Sequence, residues 1–184
     1  HVQQNPVIRF GCGDLVRNIT GCPLAGLAAD ELMEPSPLAL EVAQAVRVNP
    51  DLYNLPRQFK ISLAGCPAWC CYPEINDIAL TPATHNGEVG YSLRVGGGLS
   101  NEPHLAVRLD AFVRPHQAVR VAEAVAEIFR DQQGLRQSRK SARLKYLFMK
   151  EGWTPESFLT ELKSRLDFEL LPGAPEQVPD DVVR

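Results

Sequence analysis

Short alternations of apolar and polar residues fill the first part of the chain, and a helical repeat follows. Phe59 to Ala64 sets Lys60 and Ser62 between apolar neighbours, the pattern of a half-buried strand. Asp77 to Thr81 and Val89 to Val95 predict two more strands. Between them runs THNGEVG, whose Asn86-Gly87 pair is a strong hairpin signal. Gly96-Gly97-Gly98 ends the third strand, and Leu105 to Pro115 is ambiguous but extended towards its end. Gly11 to Gly26 shows no period and predicts a loop between short extended pieces.

Helical spacing appears in four places. Pro37 to Val46 is one, with Ser36 as N-cap, Pro37 at the first helical position and Pro50 just beyond the end. From His116 to Gln132, Val119, Ala122, Val125, Ala126 and Phe129 mark a strongly amphipathic helix, opened by Pro115 and closed by Gly134. Further helices are predicted over Ser138 to Lys150 and from an N-cap at Thr154 to Leu166. Strands first and helices later predict an α+β fold, a mainly antiparallel sheet with helices packed on one face.

At 184 residues the chain fits one domain. A formal net charge of −3 gives no reason to expect a nucleic-acid partner, and no apolar run is long enough to cross a membrane. Five cysteines, an odd number in a chain too large to need staples, favour a reducing compartment, and the expected localisation is cytoplasmic. The chain starts without Met and ends in the Pro-rich, acidic PGAPEQVPDDVVR. Residues 1–10 are therefore expected to be a partial linker or tag remnant, 11–167 the functional module, and 168–184 a linker towards a missing second half.

Candidate chemistry concentrates between Leu55 and Leu80. Cys66 and Cys70 have a spacing that suits two thiolates at one metal centre, while Arg57 and Lys60 suit anion binding. On spacing alone, buried and inert thiols are the commoner explanation of the same cysteines. Elsewhere, Arg17 sits near glycines, and Arg139 and Arg143 fall at i and i+4 of the predicted helix, beside Lys140 and Lys145. That run is either a solvated basic face or an anion site. Gly96 to Gly98 could cradle a phosphate or cofactor edge through backbone N–H groups, or simply mark a sharp bend. None of the four histidines has zinc-ligand spacing to another His or Cys.

The phrases VRNITGCPLAG, LPRQFKISLAGCPAWC, PEINDIAL, GYSLRVGGGLS and AEIFRDQQGLRQSRKSARLKYL occur in this order. Together they resemble the siroheme- and iron–sulfur-containing nitrite/sulfite reductases over residues 11 to 166. The resemblance implies six-electron reduction of sulfite to sulfide or nitrite to ammonia. It implies a siroheme coupled through a cysteine thiolate to a 4Fe-4S cluster, and a ferredoxin-type or flavoprotein electron donor. Members of the family carry two copies of this module, and LPRQFK resembles the first. By motif, Arg17 and Lys60 would be catalytic contacts to the oxyanion. Arg17, Asn18, Arg57, Gly96, Gly97, Gly98, Arg143 and Lys145 would line the tetrapyrrole, and Cys66 and Cys70 would be metal ligands.

Two departures from the family pattern stand out. Gln58 replaces a second lysine of the usual LPRKFK, whereas Lys60 is typical of the sulfite-type enzymes. The Cys-x5-Cys half of the cluster set is absent, so Cys66 and Cys70 are either ligands or remnants of the duplication. The expectation is thus a fragment of a nitrite/sulfite reductase, inactive alone. The alternatives are a non-catalytic copy that walls the pocket and packs on the catalytic half, or a dissimilatory-type subunit. An isolated copy is expected to pair as a C2 dimer in place of that half.

Overall fold

The computed structural model describes residues 16–176. The predicted segment 1–10, the last part (177–184) of the predicted segment 168–184, and Cys12 lie outside the described residues. Five strands form one sheet in the order β1 (Val16–Thr20), β2 (Phe59–Leu63), β3 (Ile78–His85), β4 (Glu88–Val95), β5 (Val107–Val113). The β1–β2 and β2–β3 pairs are parallel, and β3–β4 and β4–β5 are antiparallel. The α+β expectation holds, but the sheet is mixed rather than mainly antiparallel. Strand β1 escaped the sequence pattern because it is a partly exposed edge strand of five residues that shows no alternation.

Residues of one pleat face pack under the helices α1 (Ser36–Val48), α2 (Ala118–Asp131) and α4 (Pro155–Ser164). Phe59, Ile61 and Leu63, Ile78 and Leu80, Leu93 and Val95, and Leu109 and Ala111 all point there. Val42, Val125, Phe129 and Phe158 fill the space between, with the Phe59 and Phe129 rings stacked at 5.5 Å. The opposite face is polar and carries Asn18, Thr20, Lys60, Ser62, Thr81, Ser92, Arg94 and Arg108. Register supports that grouping, since Asn18 pairs with Lys60, Thr20 with Ser62, Thr81 with Ser92 and Arg94 with Arg108.

Local chemistry explains most element ends. Asn86 and Gly87 both have positive φ, +50° and +86°, as a two-residue type I′ hairpin requires. Thr154 caps α4 by accepting from the Ser157 N–H at 3.2 Å, and Ser157 accepts in return from the Thr154 N–H. Ser36 does not cap α1; it is the first helical residue, and Pro35 holds the cap position without a side-chain bond. Gly134 does not close α2, which ends at Asp131 with Gln132 as its C-cap; the glycine opens a short 3₁₀ turn.

Three corrections bear on the site. The strand at Phe59 is not half-buried, because Ser62 is fully covered by the loop that follows β2. The predicted helix over 138–150 is absent apart from one 3₁₀ turn at Arg139–Ser141 and the single turn α3 (Tyr146–Met149). In that stretch Arg143 and Lys145 both turn inward. Positions i and i+2 of a helix point about 200° apart, so a continuous helix cannot bury both on one side. Finally, the expected linker does not begin at 168. Leu170 and Ala174 are buried, and residues 171 and 176 bridge to the sheet.

Candidate anion-binding face

Strand β1 and the lead-in to β2 bring Arg17, Asn18, Arg57, Gln58 and Lys60 to one end of the sheet. The Arg17 guanidinium donates to the Gln58 amide oxygen, and Arg57 donates to the Arg139 carbonyl. Lys60 is held through its backbone: its N–H donates to Asp77 Oδ2 at 2.9 Å. Among the described residues, none of these three cations has a carboxylate partner within ion-pair distance. Gln58 joins Arg17 without adding charge. A lysine at position 58 would place a second cation against that guanidinium.

The other predicted cations are already answered. Arg143 is 7% exposed and meets the fully buried Asp77 with three hydrogen bonds of 3.0 to 3.4 Å. Burial pushes the Asp77 carboxyl up to about 6, with Arg143 and the Lys60 N–H opposing the rise. Lys145 is buried and donates to the carbonyls of Gly98, Leu99 and Glu102. Burial, with Arg143 nearby, lowers its pKa. These two side chains brace the glycine loop from within, instead of presenting charge on the polar face.

The glycine loop is not an anion cradle. The N–H groups of Gly96, Gly97 and Gly98 donate to the carbonyls of Asp77, Asn76 and His104 at 2.8 to 2.9 Å. The glycines are explained by crowding behind them. A Cβ at Gly97 would sit against the Glu74 carbonyl and 2.6 Å from that of Asn76; at Gly96 it would lie 2.6 Å from the Phe148 ring. Gly96 also has a φ of +78°.

Cys66 and Cys70 stand on the loop after β2, which folds back over the polar face. There Ser62 Oγ donates to the Cys71 carbonyl at 3.4 Å and the Cys71 thiol donates to Leu63 O at 3.5 Å. Cys66 is 1% exposed, Cys70 is half-buried, and burial pushes the Cys66 and Cys71 thiols up. Among the described residues no group of three or more His, Cys, Asp or Glu side chains is arranged to hold a metal. Two non-glycine residues of this loop, Trp69 and Tyr72, take a φ of +48°. The Trp69 indole N–H is buried without a partner among the described residues, and the Arg94 guanidinium lies 5.2 Å from the Trp69 ring centroid.

Sequence reading missed Asp77, Trp69, Arg94 and Arg108. The alternation Ser92-Leu93-Arg94-Val95 carries the signal for Arg94, because a charged residue between core positions must point to the opposite face. Asp77 has no such signal, since its partners lie 17 and 66 residues away.

The family model described as the nitrite and sulphite reductase 4Fe-4S domain matches residues 12–170. The chain belongs to that family. It is 42% identical over 180 residues to an assimilatory ferredoxin-dependent nitrite reductase of Haloferax mediterranei, covering 94% of this chain and 30% of that protein. A ferredoxin–nitrite reductase of Leptolyngbya laminosa is 38% identical, with 89% and 32% covered. A sulfite reductase [ferredoxin] of Mycolicibacterium paratuberculosis is 39% identical, with 91% and 30% covered. The chain thus spans under a third of the length of these relatives. The solved structure of the Mycobacterium tuberculosis NirA protein superposes with a TM-score of 0.80 at 35% identity, over 90% of this chain and 30% of that one. A dissimilatory sulfite reductase I chain shares the fold alone, at 13% identity and a TM-score of 0.63, over 95% of this chain and 56% of that one. Among the described residues no helix is long and apolar enough to cross a membrane.

Proposed function

We propose that this chain is the oxyanion-facing module of a nitrite or sulfite reductase, with a ferredoxin-type protein as electron donor. The observation that carries the reading is the group Arg17, Arg57 and Lys60, three cations at one end of the sheet with no carboxylate ion-pair partner among the described residues. A polycarboxylate tetrapyrrole fits such a cationic group, and the Trp69 N–H beside Arg94, without a partner among the described residues, is a further donor. When bound, siroheme supplies the electron path to the oxyanion. Arg17 supplies a planar fork for anionic oxygens, steadied by Gln58. Lys60 supplies a compact positive charge and a proton at Nζ as oxygen leaves as water. Asn18, the register partner of Lys60, adds a neutral donor on the same face. Arg57 sets the basic lead-in to β2.

The cluster does not fit the described residues. A four-thiolate cluster needs more ligands than they bring together, because no group of three or more His, Cys, Asp or Glu side chains among them is arranged to hold a metal. The chain is therefore assigned the anion-binding wall, with cluster ligands supplied by the rest of a full-length protein. Cys66 and Cys70 then shape the loop over the face.

The test is the full-length protein with Lys60→Met and Arg17→Gln. Losing a positioned donor is expected to lower turnover of the oxyanion about 10²–10³-fold while the protein keeps its fold. Product analysis for ammonia and for sulfide separates the two substrates. Wild-type turnover and oxyanion affinity in both variants would overturn the assignment.

A further inference from the structure

Past α4 the backbone returns to the sheet as a strap. The Phe112 N–H donates to the Leu171 carbonyl at 2.9 Å, and Ala83 of β3 bridges Glu176. Between these points the Gly173 N–H donates to Asp110 Oδ1 at 2.8 Å, and Ala174 packs with Ala83 and Phe112 in a small cluster apart from the main core. Extended chain advances about 3.3 Å per residue and strands lie about 4.8 Å apart, so this short segment suffices to cross from β5 to β3. It crosses on the polar face, where Asp110, Phe112, Arg108 and Ala83 point.

Glu176 ends the strap, its side chain 4% exposed. It accepts from the Thr81 hydroxyl and from Arg94 Nε and Nη2 at 3.2 and 2.8 Å, and lies 3.3 Å from Arg108 Nε. Arg94 and Arg108 are direct register partners on β4 and β5. Like charges opposed in this way repel unless an anion is shared between them. Arg108 also donates to the Ala174 carbonyl, so it grips strap backbone and carboxylate together. The family match stops at residue 170, one residue before the strap begins.

We propose that residues 171–176 are a latch. Thr81, Arg94 and Arg108 form a carboxylate site on the polar face, and Glu176 fills it. The latch bridges the arginine pair and, with Glu74 3.9 Å from Arg94, offsets its charge, and so confines anion binding on this face to the Lys60 end. With Glu176 out of the site, the same three residues would take a free tetrahedral oxyanion or a carboxylate. The latch rests on its own contacts and stands whether or not the face serves a reductase.

Glu176→Gln keeps the shape and the Thr81 bond but removes the charge. In the full-length protein the Phe112 and Gly173 amides should then exchange with solvent about tenfold faster or more. Sulfate should shift the Arg94 and Arg108 Nε resonances of the variant at concentrations that leave wild type unchanged. Arg108→Gln tests the other wall and should also speed exchange at Gly173, which keeps the proposal testable if the first variant fails to fold. Unchanged exchange in both variants would overturn the latch. An opened strap with no sulfate response at the arginines would overturn the site.

Discussion

Replacing Arg143 by Met should make the stability of this protein depend on pH in a window that wild type does not show. Asp77 is fully buried and Arg143 nearly so, at 7% exposed, so solvent barely screens the pair. In wild type, burial raises the Asp77 carboxyl from its ordinary 3.8 to about 6. The folded state therefore holds a proton that the unfolded chain has released between those values. Its contribution is fully present below about pH 4, and stability falls as pH rises to about 6, then levels off. Without Arg143 the carboxyl keeps its burial penalty and loses its main compensation, so it stays protonated to still higher pH. Wild type and variant then diverge above pH 6 by about 1.4 kcal/mol per pH unit, reaching about 3 kcal/mol at pH 8. Near pH 5 both carry a neutral Asp77, and the residual cost is that of lost hydrogen bonds and stem packing, about 1–2 kcal/mol. Urea unfolding of both proteins from pH 5 to 8 measures the divergence. A cost that stays constant across that range, or falls towards pH 8, would refute the claim that this pair is an ionic one held against burial. Adding Asp77→Asn to the Met variant should remove the pH dependence.

Gly97→Ala should cost about 1–3 kcal/mol, because its Cβ meets the backbone carbonyls of Glu74 and Asn76, which cannot yield as a side chain would. Gly21→Ala, with nothing within 4 Å among the described residues, should be neutral to within about 0.5 kcal/mol, and thermal melts of the two variants compare them. In cofactor-free protein at pH 7.5, maleimide should label the half-buried Cys70 well before Cys66 or Cys71, whose thiols are buried and held protonated. Mass spectrometry showing Cys66 labelled first would contradict the reading of a closed loop.

Elements whose pattern is local were legible in the chain. The hairpin at Asn86-Gly87, the amphipathic α2 and the Thr154 cap each depend on residues within a few positions of one another, and each stands in the structure. The family phrases pointed to basic residues that lie on β1 and β2, where Asn18 pairs with Lys60 and Arg17 donates to Gln58. The run from Ser138 to Lys150 failed for the opposite reason. Its helical period was real, but Asp77 and the carbonyls at 98–102 draw Arg143 and Lys145 inward from opposite sides of any helix. The glycine triplet was ambiguous by sequence alone, since an anion cradle and a crowded bend call for the same residue. Only the partners of its N–H groups decide between them.

Sequence alone determined the secondary-structure grammar, the family and the set of basic residues worth attention. Tertiary structure decided which of those charges remain available. A side chain's charge is a local property, but whether it is spent depends on groups far along the chain. Asp77 consumes Arg143, and Glu176, arriving from the far end of the described chain, consumes Arg94 and Arg108. Lys60, Arg17 and Arg57 are left without an ion-pair partner among the described residues, and Asp77 reaches only the backbone N–H of Lys60 by hydrogen bond.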